Sequence, residues 1–154
     1  MKILYICTHN RCRSILSEAI TNAKSNGLIQ ARSAGSQPSG EVHPLSVKYL
    51  GEAGIPTAGL KSQSWDEFED FEPDLVVTVC DSAAGESCPV WFGKTLKVHW
   101  GLEDPSKLNG SDEELAIAFR KTIAVIGDRV DALLRVSALE KTHWANALST
   151  LGAA

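Results

Sequence analysis

Cys7 and Arg13 bracket five residues, Thr8, His9, Asn10, Arg11 and Cys12, and Ser14 follows at once. These residue types at this spacing suit the capture of a tetrahedral oxyanion. In a tight turn, successive backbone N–H groups face inward, and a helix starting at its end adds partial positive charge. Arg13 can fork two hydrogen bonds onto the anion. The same field lowers the pKa of Cys7, so that a nucleophilic thiolate faces the bound ion. Ser14 is placed to hydrogen-bond that thiolate, which favours its charged form, to cap the helix, or to do both. Asn10 suits left-handed backbone and bonds locally, which ties the turn into shape. Cys12 reads as a small packed thiol, and a disulfide to Cys7 would depend on geometry. His9 and Arg11 are either plain exposed loop residues or a more positive mouth to the site.

Three further residues bear on the same chemistry. Asp104, in Glu103-Asp104-Pro105, looks like a simple turn. It follows a strand end, however, where open α/β sheets place their sites, and a carboxylic acid there can protonate a departing oxygen. Cys80 ends the strongest strand signal of the chain. Cys88 lies eight positions on, across the small, polar, glycine-containing stretch 81–87. A thiolate attacks a nearby sulfur and passes the oxidation along, so ordered thiols can work as a relay. Two unrelated cysteines form the competing reading. A zinc site with His99 is weaker, because the ligands lack tight spacing.

Positioning these groups requires a regular frame, and apolar runs do alternate with helix-like patterns. That alternation predicts an α/β domain with a mainly parallel sheet. Strands are expected near Lys2–Ile6, Ile29–Ala34, Leu75–Val79 and Leu96–Trp100. The first helix follows the loop to about Asn26, with Gly27 as its stop. Pro44 opens a second helix that Gly54 closes, which puts His43 at its start. Ser64 with Glu67 and Ser111 with Glu114 read as capping boxes. After Ser111, an apolar stripe through Leu115, Phe119, Ile123, Ile126, Val130, Leu133 and Leu134 predicts a core-facing helix. His99 and Trp100 are expected in strand and core, and His143 at the surface. Beyond Val136 a further amphipathic helix is expected, either docked or frayed. The reading is therefore a domain over 1–136 with an extension over 137–154.

Composition narrows the partners. The chain has 154 residues and a formal net charge of −4, so nucleic acid is not expected, and an anionic substrate must be drawn by a local field. No run approaches a membrane span, and the N-terminal apolar stretch is too short for a signal peptide. The expected setting is a cytoplasmic monomer. There, four cysteines are more often catalytic, redox-active or packed than bridged.

Several short runs together resemble the arsenate reductases built on the low-molecular-weight protein tyrosine phosphatase fold, from Met1 to about Val136. They are Cys7-Thr8 with Asn10 and Cys12-Arg13-Ser14, Ser33-Ala34-Gly35, Asp74 to Cys80, Cys88-Pro89, and His99-Trp100-Gly101 with Asp104-Pro105. The resemblance implies a three-layer sandwich with a four-stranded parallel sheet flanked by helices. It implies that Cys7 attacks arsenate while Asp104 protonates the departing hydroxide. Cys80 then attacks Cys7, arsenite leaves, and Cys88 moves the disulfide outward to Cys80–Cys88. Thioredoxin, or glutathione with glutaredoxin, would restore the thiols, and phosphate or sulfate would act as site analogues. No cofactor is implied. Some members bind potassium beside the loop. Asn10 and Ser33 match that site, but Lys61 and Gln63 stand where hydroxyl and acidic ligands are expected, so no metal is expected. Two other departures are His9 and Arg11, where Gly and Ser are usual, and one extra residue between Cys80 and Cys88. The rival reading is a tyrosine phosphatase using the same loop. Against it, Ser106-Lys107-Leu108-Asn109 lacks the aromatic pair expected to flank phosphotyrosine.

Overall fold

The computed structural model describes residues 1–79 and 95–152. Four parallel strands, β1 (Lys2–Ile6), β2 (Gln30–Ala34), β3 (Leu75–Thr78) and β4 (Leu96–His99), form one sheet in the order β2-β1-β3-β4. Around it lie helices α1 (Arg13–Ser25), α2 (Pro44–Glu52), α3 (Asp112–Ser137) and α4 (Trp144–Gly152). Short 3-10 turns cover Trp65–Phe71, Pro105–Lys107 and Lys141–His143. This is the α/β architecture expected from the alternating pattern.

Burial explains the strand order. Ile3, Leu4, Tyr5 and Ile6 of β1 and Leu75, Val76 and Val77 of β3 are all inaccessible, as central parallel strands covered on both faces must be. β4 alternates between half-buried Leu96 and Val98 and exposed Lys97 and His99, the pattern of an edge. His99 therefore departs from its expected place in the core. It is exposed, and its Nδ1 pairs with Thr78 Oγ1 at 2.8 Å across the edge. The strand also stops before Trp100, whose half-buried ring packs on Tyr5 at 5.4 Å between centroids.

Helix ends follow local chemistry. His43 accepts from the Leu45 N–H and caps α2, with Pro44 in the first turn, where its missing N–H costs nothing. α1 stops at left-handed Asn26, φ 48°, one residue before the expected Gly27. Ser64 and Glu67 cap each other's backbone reciprocally, as their spacing predicts, but over a 3-10 turn. Phe119, Ile126, Val130 and Leu133 of α3 are buried, while Leu115, Ile123 and Leu134 flank them half-buried. α3 packs along α1. The C-terminal helix is docked: Trp144 and Leu148 join the same core, and α4 lies against β4.

Register sets up the site. Ile6 pairs with Ala34 and with Thr78, and Thr78 pairs with His99. All four strands thus end level, and the segments carrying Cys7, Gly35 and Trp100–Asp104 leave the sheet along one edge. Open α/β sheets bind ligands outside this carboxyl edge. Among the described residues, no helix is long and apolar enough to cross a membrane.

Candidate active site

The loop after β1 is held from outside by its carbonyls. Thr8 O accepts from Gln37 N at 2.9 Å, His9 O from Ser39 N at 3.0 Å, and Arg11 O from His43 N at 2.9 Å. Ser62 Oγ adds a further bond to His9 O at 3.1 Å. With carbonyls turned outward, the amides between them face the inside of the turn, which is the geometry of an anion nest. Cys12 stands at the N-cap of α1, and no side chain caps that helix. Its first N–H groups therefore remain for a ligand. Ser14 is thus not a cap. It is fully buried and accepts from Asn10 Nδ2 at 2.8 Å. Asn10 itself is fully buried with φ 46°, the left-handed geometry its residue type favours.

Cys7, Thr8, His9, Arg11, Cys12, Arg13, Asp104 and Lys107 line one cavity of about 110 Å³. Larger cavities lie elsewhere, but this small one is scaled to a free oxyanion, and it holds the nucleophile, the guanidinium and the carboxylate together. Asp104 is fixed on both sides. Its Oδ1 accepts from the Ser106 N–H at 3.0 Å and the Ser106 hydroxyl at 2.6 Å, while Oδ2 faces Arg13 Nη2 at 3.5 Å. Arg13 also donates to Leu102 O at 3.0 Å, and its buried Nε has no hydrogen-bond partner among the described residues. A buried unpaired guanidinium donor calls for an acceptor, which a bound oxyanion supplies. Burial pushes the Cys12 thiol up to about 11, so Cys12 is a packed thiol and not a competing nucleophile, as its position suggests.

The sequence-expected residues thus divide by place. Thr8, His9, Arg11, Cys12 and Arg13 line the cavity with Cys7 and Asp104, whereas Asn10 and Ser14 lie behind it as supports. Cys80 and Cys88 fall outside the described residues. The last described residue before them, Val79, donates to Ile6 O at 3.0 Å, beside the strand end that carries Cys7.

A sequence profile of the low molecular weight phosphotyrosine protein phosphatases matches residues 2–144. The chain belongs to that family. Within it, the chain is similar to an arsenate reductase of Halalkalibacterium halodurans, with 37% identity over 128 residues, 83% of this chain and 91% of the relative. It also resembles a glutaredoxin arsenate reductase of Synechocystis, with 28% identity over 133 residues, 86% and 95% of the two chains. Its fold superposes on a solved arsenate reductase in the phosphate-binding state with a TM-score of 0.72 and 28% identity, covering 87% and 96% of the two chains. A thioredoxin-dependent arsenate reductase of Corynebacterium glutamicum gives 0.68 and 26%, covering 88% of this chain and 61% of that one.

The potassium found beside the loop in some family members does not fit the atoms here. Asn10 Oδ1 accepts from Gln63 N at 2.8 Å, and Ser33 O accepts from Gln63 Nε2 at 3.2 Å. Ser33 Oγ donates to Glu18 at 2.7 Å. Two of the oxygens at the matching positions, Asn10 Oδ1 and Ser33 O, thus already accept from Gln63, and Ser33 Oγ is engaged as a donor to Glu18. Among the described residues, no group of three or more His, Cys, Asp or Glu is arranged to hold a metal.

Lys107 and Ser106 escaped the sequence reading as site residues. They lie three and two positions past Asp104 in the Asp-Pro turn. That proximity was the available signal, since an Asp opening a turn bonds the N–H two residues on.

Proposed function

We propose that the protein reduces arsenate to arsenite in the cytoplasm, as a monomer, through an adduct on Cys7. The observation that carries this is the shared cavity of Cys7, Arg13 and Asp104 in a chain 37% identical to an arsenate reductase. Arsenate enters as a tetrahedral oxyanion on the inward amides and Arg13. The Cys7 thiolate attacks arsenic, and an As–O bond breaks. Asp104 supplies the proton that lets the oxygen leave as water. A second thiolate, assigned to Cys80, then attacks Cys7 sulfur. An S–S bond forms, the S–As bond breaks, and its electron pair stays on arsenic, which leaves as arsenite. Cys88 then attacks Cys80 sulfur, the Cys7–Cys80 bond breaks with Cys7 leaving as a thiolate, and thioredoxin, or glutathione with glutaredoxin, reduces the resulting Cys80–Cys88 disulfide.

Phosphoester hydrolysis would need only Cys7, Arg13 and Asp104. The cavity favours the smaller, free oxyanion: its described lining contains Lys107 and no Phe, Tyr or Trp to sandwich an aryl ester. One preparation assayed three ways tests the reading: arsenite formation with thioredoxin, arsenite formation with glutathione and glutaredoxin, and aryl-phosphate hydrolysis. Arsenite release that disappears in Cys7→Ser is expected. Aryl-phosphate turnover with no arsenite under either donor refutes it.

A further inference from the structure

We infer that the groove between the Asp104 turn and α3 is a binding site for glutathione, a small zwitterionic tripeptide thiol; this rests on the reading that turnover leaves a disulfide on the protein. The groove measures about 470 Å³, in the range of small-molecule sites. One wall is the chain from Gly101 to Leu108, and the other is the face of α3 from Glu114 to Arg129. Asp104 lines both this groove and the catalytic cavity. Leu102, in the same wall, donates its N–H to Val79 O at 3.1 Å, and Val79 directly precedes Cys80 in the chain. A thiol held here is therefore next to the nucleophile's cavity and next to the strand end that leads into the relay.

Charge selects the ligand. Glutathione carries a carboxylate at each end and one ammonium. Two cations of α3, Lys121 and Arg129, line the groove eight residues apart, which is about 12 Å at the helical rise. An extended tripeptide spans about 10–11 Å, so its terminal carboxylates match that spacing. Arg129 is held by donating Nη1 to Trp100 O at 2.6 Å and by lying 5.7 Å from the Trp100 ring centre. Its remaining donors are left for a carboxylate. Glu103, on the facing wall, supplies the acid for the ammonium. Both Glu103 and Lys121 line the groove, and neither side chain has a partner among the described residues. Leu108 is 44% and Ile117 58% exposed in the same groove, which gives the methylenes of the γ-glutamyl arm an apolar surface. From this seat the glutathione thiolate attacks one sulfur of the protein disulfide; a mixed disulfide forms, and the other cysteine leaves as a thiolate. A second thiol, from glutathione or glutaredoxin, attacks the glutathione sulfur, frees the remaining cysteine and forms a disulfide with that glutathione. Two electrons thus pass to the protein thiols, and the two donor thiols end oxidised.

The test titrates S-methylglutathione, which cannot exchange disulfides, into the full chain and follows amide chemical shifts. The shifts should saturate as one site and fall on residues 101–108 and 114–129. Lys121→Met should weaken binding about tenfold, the weight of one charge-assisted hydrogen bond. It should raise the KM for glutathione by the same factor, while turnover driven by 2-mercaptoethanol, which carries no charge, stays at the wild-type rate. No saturable shift at these residues, or an affinity and a KM that Lys121→Met leaves within about twofold of wild type, overturns the inference. So does a loss in Lys121→Met confined to thioredoxin-driven turnover, which would make the groove a protein-docking face. The titration needs no arsenate, so its outcome stands apart from whether arsenite is made.

Discussion

Gly35 offers a sharp test of how tightly the catalytic loop is held. A Cβ built on it would lie 2.4 Å from Thr8 O and 2.5 Å from Cys7 O. Both are backbone atoms of the loop and cannot swing aside as a side-chain tip would. The shortfall from an ordinary contact of 3.4 Å is about 1 Å, so Gly35→Ala must displace the loop or β2 by that amount. Overpacking of this kind costs about 1–3 kcal/mol. For a chain of this size that lowers Tm by roughly 4–8 °C at 2 kcal/mol. The effect on catalysis should be larger, because a displacement of ~1 Å in a positioned nucleophile costs about 100-fold in rate. The assay is kcat/KM for arsenite formation at a temperature well below both melting points, beside a thermal scan. Gly51→Ala is the control: it lies in α2 with nothing within 4 Å of its added Cβ, so it should be neutral or slightly stabilising. Gly35→Ala with kcat/KM within threefold of wild type would refute the claim that the outward-turned carbonyls fix the site.

Other consequences follow from named contacts. Asp104→Asn keeps an acceptor for Ser106 but removes the proton donor, so kcat should fall about 10²–10⁴-fold in single-turnover arsenite release; unchanged kcat would remove Asp104 from the acid role. Lys107→Ala should raise KM for arsenate with kcat little changed, and the wild-type advantage should shrink as salt is added; equal KM at low salt would dismiss Lys107 as a guide. Burial raises the pKa of Glu18, outweighing the hydrogen bond from Ser33 and the charge of Arg32. Its contribution to stability is then full below the ordinary Glu pKa and is lost as pH rises through the raised value, leaving a buried charge as a cost. Glu18→Gln should therefore melt higher than wild type near pH 8, with the gain vanishing as pH falls below about 4.3. Replacing sodium by potassium should leave Tm and KM unchanged, and a potassium-specific rise in Tm would show that the oxygens around Gln63 hold the ion after all.

The parts legible in the sequence were those set by neighbours in sequence. The strand-loop-helix around Cys7 follows from an apolar run, a constrained turn and a helix start, and β-branched Val76 and Val77 announce a buried strand. The Ser64–Glu67 cap and the His43–Pro44 helix start were readable for the same reason. What stayed hidden was set by separations of tens of residues. Ser14 is no cap because it falls inside α1, past the N-cap at Cys12; it accepts instead from Asn10, which is itself fixed from Gln63, a residue that no periodicity connects to the loop. His99 looked like core because its strand is apolar on alternate positions, but an edge strand leaves one of its faces to solvent. Lys107 looked like an ordinary turn residue until Arg13 and Asp104 drew the turn over the loop.

The central claim is that Cys7 hands arsenic's oxidation to protein thiols, and a single turnover without added reductant measures this directly. Fully reduced protein mixed with excess arsenate should release one arsenite per chain and carry one disulfide, mapped by peptide mass to Cys80–Cys88 and absent in Cys7→Ser. Release of no arsenite, or release that leaves every thiol free, would contradict the account.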